Sequence, residues 1–348
     1  MRLIFAGGGT GGHLFPGIAI AQEALRNDPK SKILFIGSPG GLDSKIVPEH
    51  NFALALIPVG GLKRVGIWQT IKTLIQLPFA FLKSCFLVKR FKPDAVIGLG
   101  GYSSGPVILA AKIFKYKTGI LENNSIAGFT NRILGKIVNH IFIAFEEAKK
   151  YFPPGKVVVT GNPVRSSFFP SPLPTPSQFT MGILGGSQGA RRLNQLVVEA
   201  LPQIPHDIHI IHQTGKLDFG WVSKSYTQLG KEAEVSPFIT DMPNFYKRCS
   251  LIISRAGATT ISELAASHRP AIFVPFPFAA DNHQFTNAKE IEKIGGAKLI
   301  IQSDLTAQKL ISIINHYRSN FHELESMAQN ISTWHKHDAS TKILKLFL

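Results

Sequence analysis

The sequence predicts two doubly wound α/β domains, each a parallel sheet covered by helices on both faces. Three observations carry that reading. Short, β-branched apolar runs alternate with longer amphipathic ones along the chain. The short runs are continuously apolar, as expected of strands buried on both faces of a parallel sheet. The alternation halts at Ser166–Phe179, which holds four prolines and no charge, and then restarts. A length of 348 residues suits two domains of ordinary size.

In the first half, Leu3–Ala6, Ile33–Gly37, Ala95–Gly98, Lys117–Leu121, His140–Ala144 and Lys156–Thr160 read as strands. Between them, Pro16–Arg26, Leu42–Glu49, Ile67–Arg90, Pro106–Phe114 and Ile126–Ile133 read as helices. Proline at the density of 166–179 can continue neither a helix nor a central strand, so that segment is read as a linker. Beyond it, strands are expected at Phe179–Leu184, Asp207–His212, Leu251–Ser254, Ala271–Val274 and Ala297–Ile301. Helices are expected at Ala190–Leu201, Thr259–Ser267, Asn282–Lys293 and Thr306–His316, and the segment Phe321–Leu348 reads as helical. The expected division is 1–165, the linker 166–179, 180–335, and a C-terminal helix at 336–348 packing back on the first domain. Two such domains would face a cleft, with ligands at the carboxyl ends of the strands.

Composition narrows the function. With 44% hydrophobic and 17% charged residues the chain can bury two cores and is not disordered. Lys and Arg number 38 against 22 acids, a net charge of +16, which favours anionic partners. Cys85 and Cys249 are too few and too far apart for a disulfide framework or a Cys-rich zinc site, so a reducing compartment is the default. Met1-Arg2 runs straight into Leu3–Ala6, too short for the apolar core of a secretory leader. The most apolar stretch, Leu74–Val88, is broken by Gln76, Pro78, Lys83 and Ser84, so no spanning helix is expected.

Four loops, three of them glycine-rich, follow predicted strands. Gly7-Gly8-Gly9-Thr10-Gly11-Gly12-His13 lets backbone amides approach a ligand at a helix N-terminus, where the dipole favours anions. It formally fits the dinucleotide pattern, but Ser38 stands where the second strand of such a site needs an acid. His13 reads either as a helix-terminal hydrogen-bond donor or as a general base. Gly98–Pro106 points a second loop at the same sheet edge, or is only a turn. In Gly185–Arg192, Ser187 is placed to bond a phosphate, and Arg191 and Arg192 add positive potential. That loop lacks the Lys-Ser/Thr of a P-loop, which disfavours ATP hydrolysis of that type. In Ser254–Glu263, Thr259 and Thr260 are expected to cap a helix whose N-terminus forms an anion site. Glu263 would accept both hydroxyls of a ribose, or else close a capping box with Thr260.

The stretch Asn51–Pro93 contains no acid but has Lys63, Arg64, Lys72, Lys83, Lys89, Arg90 and Lys92. Within it Trp68, Ile71, Ile75, Phe79, Leu82 and Phe86 recur at helical spacing, which suits an anionic membrane surface or an ordinary core-facing helix. No zinc-protease signature or paired cysteine supports a metal site, and His335-Lys336-His337-Asp338 reads as a solvated helix end. Serine hydrolysis is not an expected activity. Basic residues are scattered and no recognition motif appears, so nucleic acid is not an expected partner.

In order along the chain stand Gly8–His13, Gly100–Pro106, Glu122-Asn123-Asn124, Gly161-Asn162-Pro163-Val164-Arg165, Gly185–Ala190 and Ala258–Glu263. Together they resemble the peptidoglycan N-acetylglucosaminyltransferase family, from the first strand to at least Asn287-Ala288. The resemblance implies a GT-B fold. It also implies inverting transfer of N-acetylglucosamine from UDP-N-acetylglucosamine to the C4 hydroxyl of undecaprenyl-pyrophosphoryl-MurNAc-pentapeptide (lipid I), giving lipid II and UDP. By the same resemblance, residues 1–165 face the acceptor and the membrane, and 180–335 bind the UDP-sugar. Thr10, Gly11 and Gly12 match the loop near the donor sugar, and Asn124 and Arg165 match further donor contacts. Ser187 and the run Ala258, Thr259, Thr260, Ile261, Ser262 match the diphosphate site. Ile239 matches the backbone contact to uracil, Glu263 the ribose ligand and Gln284 a sugar-binding glutamine.

His13 is the first candidate for the base and Glu122 the second. No resident cofactor or protein-held metal is implied; a divalent cation such as magnesium would enter with the substrate. The family's setting implies a peripheral position on the cytoplasmic face of the inner membrane, and leaves room for partners in the wall-synthesis machinery. The chain departs from the family at Leu121-Glu122-Asn123-Asn124, where His-Glu-Gln-Asn is common. The competing readings are another GT-B enzyme acting on a UDP-sugar, such as a glycolipid synthase or an epimerase, and a nucleic-acid-binding protein.

Overall fold

The computed structural model describes residues 1–60, 67–186 and 188–348, with only the backbone at 67–74 and 178. The chain divides into two compact units, Met1–Ser166 with Lys336–Leu348, and Ser167–His335.

The first unit runs β1 (Arg2–Gly7), α1 (Gly11–Asn27), β2 (Lys32–Gly37), α2 (Asp43–Glu49), β3 (Ala53–Leu56), α3 (Ile67–Phe91), β4 (Ala95–Gly100), α4 (Ser104–Ile113), β5 (Lys117–Glu122), α5 (Phe129–Leu134), β6 (His140–Ile143) and β7 (Val157–Val159). Its parallel sheet has the order β3-β2-β1-β4-β5-β6-β7. Leu3, Phe5, Leu14, Ile18, Phe35 and Ile97 fill one face, and Ile4, Ala6, Val96, Ile108, Ile120 and Ile141 the other. Burial on both faces explains why these strands read as unbroken apolar runs.

The second unit runs β8 (Thr180–Leu184), α6 (Arg191–Ala200), β9 (His209–Gln213), α7 (Phe219–Gln228), β10 (Glu234–Ser236), α8 (Met242–Arg248), β11 (Leu251–Ser254), α9 (Ala258–Ala266), β12 (Ala271–Phe273), α10 (His283–Lys293), β13 (Ala297–Leu299), α11 (Ala307–Ser319) and α12 (Phe321–Ser332). Its parallel sheet has the order β10-β9-β8-β11-β12-β13. The chain then returns to the first unit as α13 (Ala339–Lys345), which packs on α1 and buries Ile343, Leu344 and Phe347 in that core.

The expected fold class is present, with local differences. Helix α1 starts five residues before Pro16. The segment after Phe321 is two helices, because the chain leaves helical geometry between Ser332 and Ala339. Strands β3 and β10 and helices α7 and α8 lie in segments to which the sequence assigned no element. Lys63, Arg64 and Ser187 lie outside the described residues, as do the side chains of Trp68, Ile71 and Lys72. Among the described residues no helix is long and apolar enough to cross a membrane, and Cys85 and Cys249 are free thiols.

Candidate active site

In each sheet the strand order reverses between two neighbours, β1 and β4 or β8 and β11. Ligand crevices form at such points in doubly wound sheets.

In the first unit the β1–α1 and β4–α4 loops meet there. The Gly8 amide donates to Gly100 O at 3.3 Å, and the buried Ser104 hydroxyl donates at the same junction, 2.7 Å from Ala6 O and 2.9 Å from Gly100 O. The buried carboxylate of Asp43, in the first turn of α2, accepts from the Gly9 amide at 2.7 Å and the Ser38 amide at 3.3 Å. Only glycine fits position 8: its φ is +142°, and a Cβ there would lie 2.1 Å from Asp43 Oδ1.

His13 stands half-buried in the first turn of α1, its Nδ1 3.3 Å from Gly8 O and 3.4 Å from Thr10 Oγ1. Its ring packs against Gly100, where an added Cβ would come within 3.0 Å of Nε2. Burial lowers the His13 pKa below its ordinary value, opposed by the hydrogen bond to Gly8 and the charge of Asp43. The ring is therefore neutral near pH 7 and able to accept a proton. Thr10 is the exposed N-cap of α1, with Gly11 and Gly12 following it.

The start of α1 has a specific cause. Pro16 has no N–H, so it cannot make the i→i−4 hydrogen bond to the carbonyl of Gly12. The Asn123 side chain takes that place, donating Nδ2 to Gly12 O at 3.0 Å. Glu122 is buried, and its carboxylate accepts from the Asn124 and Gly128 amides and from Asn131 Nδ2 at 2.9–3.0 Å. Burial pushes the Glu122 pKa up and these donors pull it back. Asn124 is half-buried on the same loop, and the Arg165 guanidinium lies 4.4 Å from the centre of the Phe15 ring.

In the second unit, Gln213 at the end of β9 ties two loops together. Its Oε1 accepts from the Ile239 amide at 2.8 Å, and its Nε2 donates to Gly186 O at 3.1 Å. Arg191 and Arg192 make ion pairs with Asp218 and Glu199. Helix α9 is capped by Gly257 rather than by a threonine, so Thr259 and Thr260 lie in its first turn and no Thr260–Glu263 capping box forms. Ile261 is core, its amide bonded to Gly257 O at 3.0 Å, and the buried Ser262 hydroxyl donates to Ala258 O at 2.8 Å. A ligand at this end meets Ala258, Thr259 and Thr260 before those two.

Glu263 is buried and accepts from the Tyr246 hydroxyl at 3.1 Å. Gln284 Oε1 accepts from the Phe276 amide at 2.9 Å, which leaves its NH2 end for any sugar contact. Arg255, at the carboxyl end of β11, is held by Val274 O, Pro275 O and Gln302 Oε1. Burial brings its pKa down to about 10, so it stays cationic at neutral pH. Among the described residues no group of three or more His, Cys, Asp or Glu side chains is placed to hold a metal.

Asp43, Gln213 and Tyr246 escaped the sequence reading, and Ser104 and Asn123 stood in its motifs without a role, since each acts on a partner distant in the chain. One signal was available: Pro16 inside a helical pattern announces a carbonyl four residues earlier that needs an outside donor.

Residues 3–143 match the glycosyltransferase family 28 N-terminal domain, and residues 180–343 match its C-terminal domain. A relative from Myxococcus xanthus strain DK1622, named UDP-N-acetylglucosamine--N-acetylmuramyl-(pentapeptide) pyrophosphoryl-undecaprenol N-acetylglucosamine transferase, is 41% identical over 99% of this chain and 91% of its own. A relative of the same name from Syntrophus aciditrophicus strain SB is 43% identical over 94% of this chain and 92% of its own. The crystal structure of Acinetobacter baumannii MurG superposes with a TM-score of 0.78 at 31% identity, covering 99% of this chain and 98% of that one.

Proposed function

The chain belongs to glycosyltransferase family 28, and on that premise we propose that it transfers N-acetylglucosamine from UDP-N-acetylglucosamine to lipid I. The products are lipid II and UDP. The observation that carries the reading is the match to a relative bearing that activity in its name, across 99% of the chain.

In this reaction the acceptor C4 hydroxyl attacks the anomeric carbon of the donor as the bond to the diphosphate oxygen breaks, with inversion. His13 Nε2 takes the hydroxyl proton, and the electron pair of the broken bond leaves on the β-phosphate of UDP. Helix α9 offers its positive end to that charge, with Thr259 and Thr260 in the first turn and Arg255 just before it. Glu263 takes the ribose hydroxyls, held in place by Tyr246. The backbone at Ile239 meets uracil, and Gln284, Asn124 and Arg165 contact the donor. His13 is assigned as base over Glu122, whose two oxygens already hold their own loop. No protein-held cofactor is invoked; a divalent cation such as magnesium would enter with the substrate and offset diphosphate charge.

The acceptor is lipid-linked, and the first unit carries a surface suited to a membrane. Ile75, Phe79, Leu82 and Phe86 are each 60–65% exposed along one face of α3. On α4, which packs against α3, Leu109 and Ile113 are also exposed, as is Phe114 at its C-cap. Lys83, Lys89 and Arg90 flank them, and such a surface rests on the anionic cytoplasmic leaflet of the inner membrane as a peripheral contact.

The test is transfer of labelled N-acetylglucosamine from UDP-N-acetylglucosamine to a lipid I analogue, with an acceptor-free control. Labelled disaccharide lipid with stoichiometric UDP is expected. Donor binding without transfer would send the search to other acceptors and sink this assignment.

A further inference from the structure

We propose that Asp43 is a positioning residue for the transfer: through the Gly8–Gly9 peptide group it fixes the His13 imidazole with Nδ1 protonated and Nε2 as the basic nitrogen. The inference rests on His13 as the base. The Gly8 carbonyl and the Gly9 amide belong to one planar, conjugated unit. Its N–H donates to Asp43 Oδ1 at 2.7 Å, while its C=O lies 3.3 Å from His13 Nδ1. A carboxylate bonded to the N–H end polarises the amide and makes the carbonyl a stronger acceptor. A stronger acceptor favours the tautomer that carries its proton on Nδ1, which leaves the lone pair on Nε2. When Nε2 takes the acceptor's proton, the new charge on the ring is met by the same polarised carbonyl, with the Asp43 charge behind it. The peptide thus stands where a direct Asp–His hydrogen bond would otherwise be.

The surroundings leave this path with little competition. Asp43 is 1% exposed and its other oxygen accepts from the Ser38 amide at 3.3 Å, which pins the carboxylate between two loops. The Cβ that any other residue would bring to Gly8 or Gly37 would fall 2.1 or 2.4 Å from an Asp43 oxygen, so the backbone closes around it. Of the elements packed on His13, α2 brings the charge of Asp43, the β4–α4 loop brings the Gly100 backbone, and the β5–α5 loop brings the neutral Asn123 amide on Gly12 O. Among the described residues, Thr10 Oγ1, 3.4 Å from Nδ1, is the hydrogen-bonding group that could stabilise the opposite tautomer, by donating its hydroxyl proton.

The experiment is nitrogen-15 NMR of the full chain labelled at histidine, with His13→Ala assigning the resonance. Wild-type His13 is expected to show Nδ1–H in the neutral form. In Asp43→Asn the tautomers should mix, and His13 should titrate at lower pH, because the nearby negative charge had favoured the cation. Its kcat should fall about tenfold or more with donor KM nearly unchanged, short of the roughly hundredfold loss expected on removing a base. A wild-type ring protonated on Nε2 overturns the proposal, and needs no variant to fold. So does an Asp43→Asn protein whose tautomer and titration match the wild type. Full turnover by His13→Ala removes the base and with it Asp43's place in the reaction. A persistent Nδ1–H tautomer would then locate the failure in the choice of base rather than in the peptide link.

Discussion

Pro16 and Asn123 show how a single missing hydrogen reaches across the fold. Gly12 and Asn123 lie 111 residues apart, yet the amide of one replaces the helical donor that Pro16 denies the other. Asn123→Ala removes one hydrogen bond and should cost about 1 kcal/mol, and Pro16→Ala in that background should restore part of it by returning a helical donor to Gly12 O. Chemical denaturation of the two variants checks both statements. A second residue prediction concerns acid. His212 is buried, its Nε2 3.0 Å from Asn194 Oδ1 and its Nδ1 3.1 Å from the Tyr226 hydroxyl, and burial lowers its pKa to about 3. The unfolded chain binds that proton near 6.5 and the folded one does not, so its contribution is complete above 6.5 and is lost as pH falls toward 3. The slope approaches about 1.4 kcal/mol per pH unit within that window. His212→Gln should flatten the wild-type loss between pH 7 and 5; an unchanged slope would assign the acid sensitivity elsewhere. Glycines and His13 were legible as a phosphate-type loop because their chemistry is local. Asp43 and Tyr246 were not, because nothing in Gly41-Leu42-Asp43 or Phe245-Tyr246-Lys247 says which distant group they will meet.

Among elements, the strands of the two sheet interiors were the most legible, since burial on both faces leaves only apolar residues. The edges were the least. Strand β3 is Ala-Leu-Ala-Leu, mostly half-buried and only four residues long, and it drew no assignment. Strand β10 is Glu-Val-Ser, three residues at the corresponding edge of the second sheet, with too little pattern to see. Helix α8 did carry a signal: Asp241 accepts from the Asn244 amide as its N-cap, and Pro243 falls in the first turn. Helix α3 was legible in extent, and its outer face makes an element-scale prediction. Leu82→Glu with Phe86→Glu should abolish binding to vesicles containing anionic lipid while leaving donor binding intact, since both side chains are more than half exposed. Co-sedimentation at low and at about 0.15 M salt separates the apolar contribution, which persists, from the ionic one, which weakens. Unchanged binding by the double variant would move the membrane contact off α3.

For the whole molecule, α13 is the feature that sequence order hides. Ile343, Leu344 and Phe347 are buried in the first unit; Phe347 packs edge-on to Phe142 at 5.8 Å, and Thr341 bonds Glu23 at 2.8 Å. Removing residues 336–348 should destabilise the first unit by about 6 kcal/mol, from roughly 2 kcal/mol for the lost burial of each of those three apolar side chains. Hydrogen exchange should then rise in α1 and β5 and stay unchanged in β8 and β11. Uniform loosening of both units would contradict that.

The same helix sets the order in which the protein can come into being. A ribosome releases α1 and its sheet early, but the three side chains that complete their core emerge only after all of Ser167–His335 has been made. The unit that is continuous in sequence can finish folding first, although it is synthesised second. Until then the earlier half waits with an open apolar seam along α1, the stretch of nascent chain most in need of a chaperone's cover.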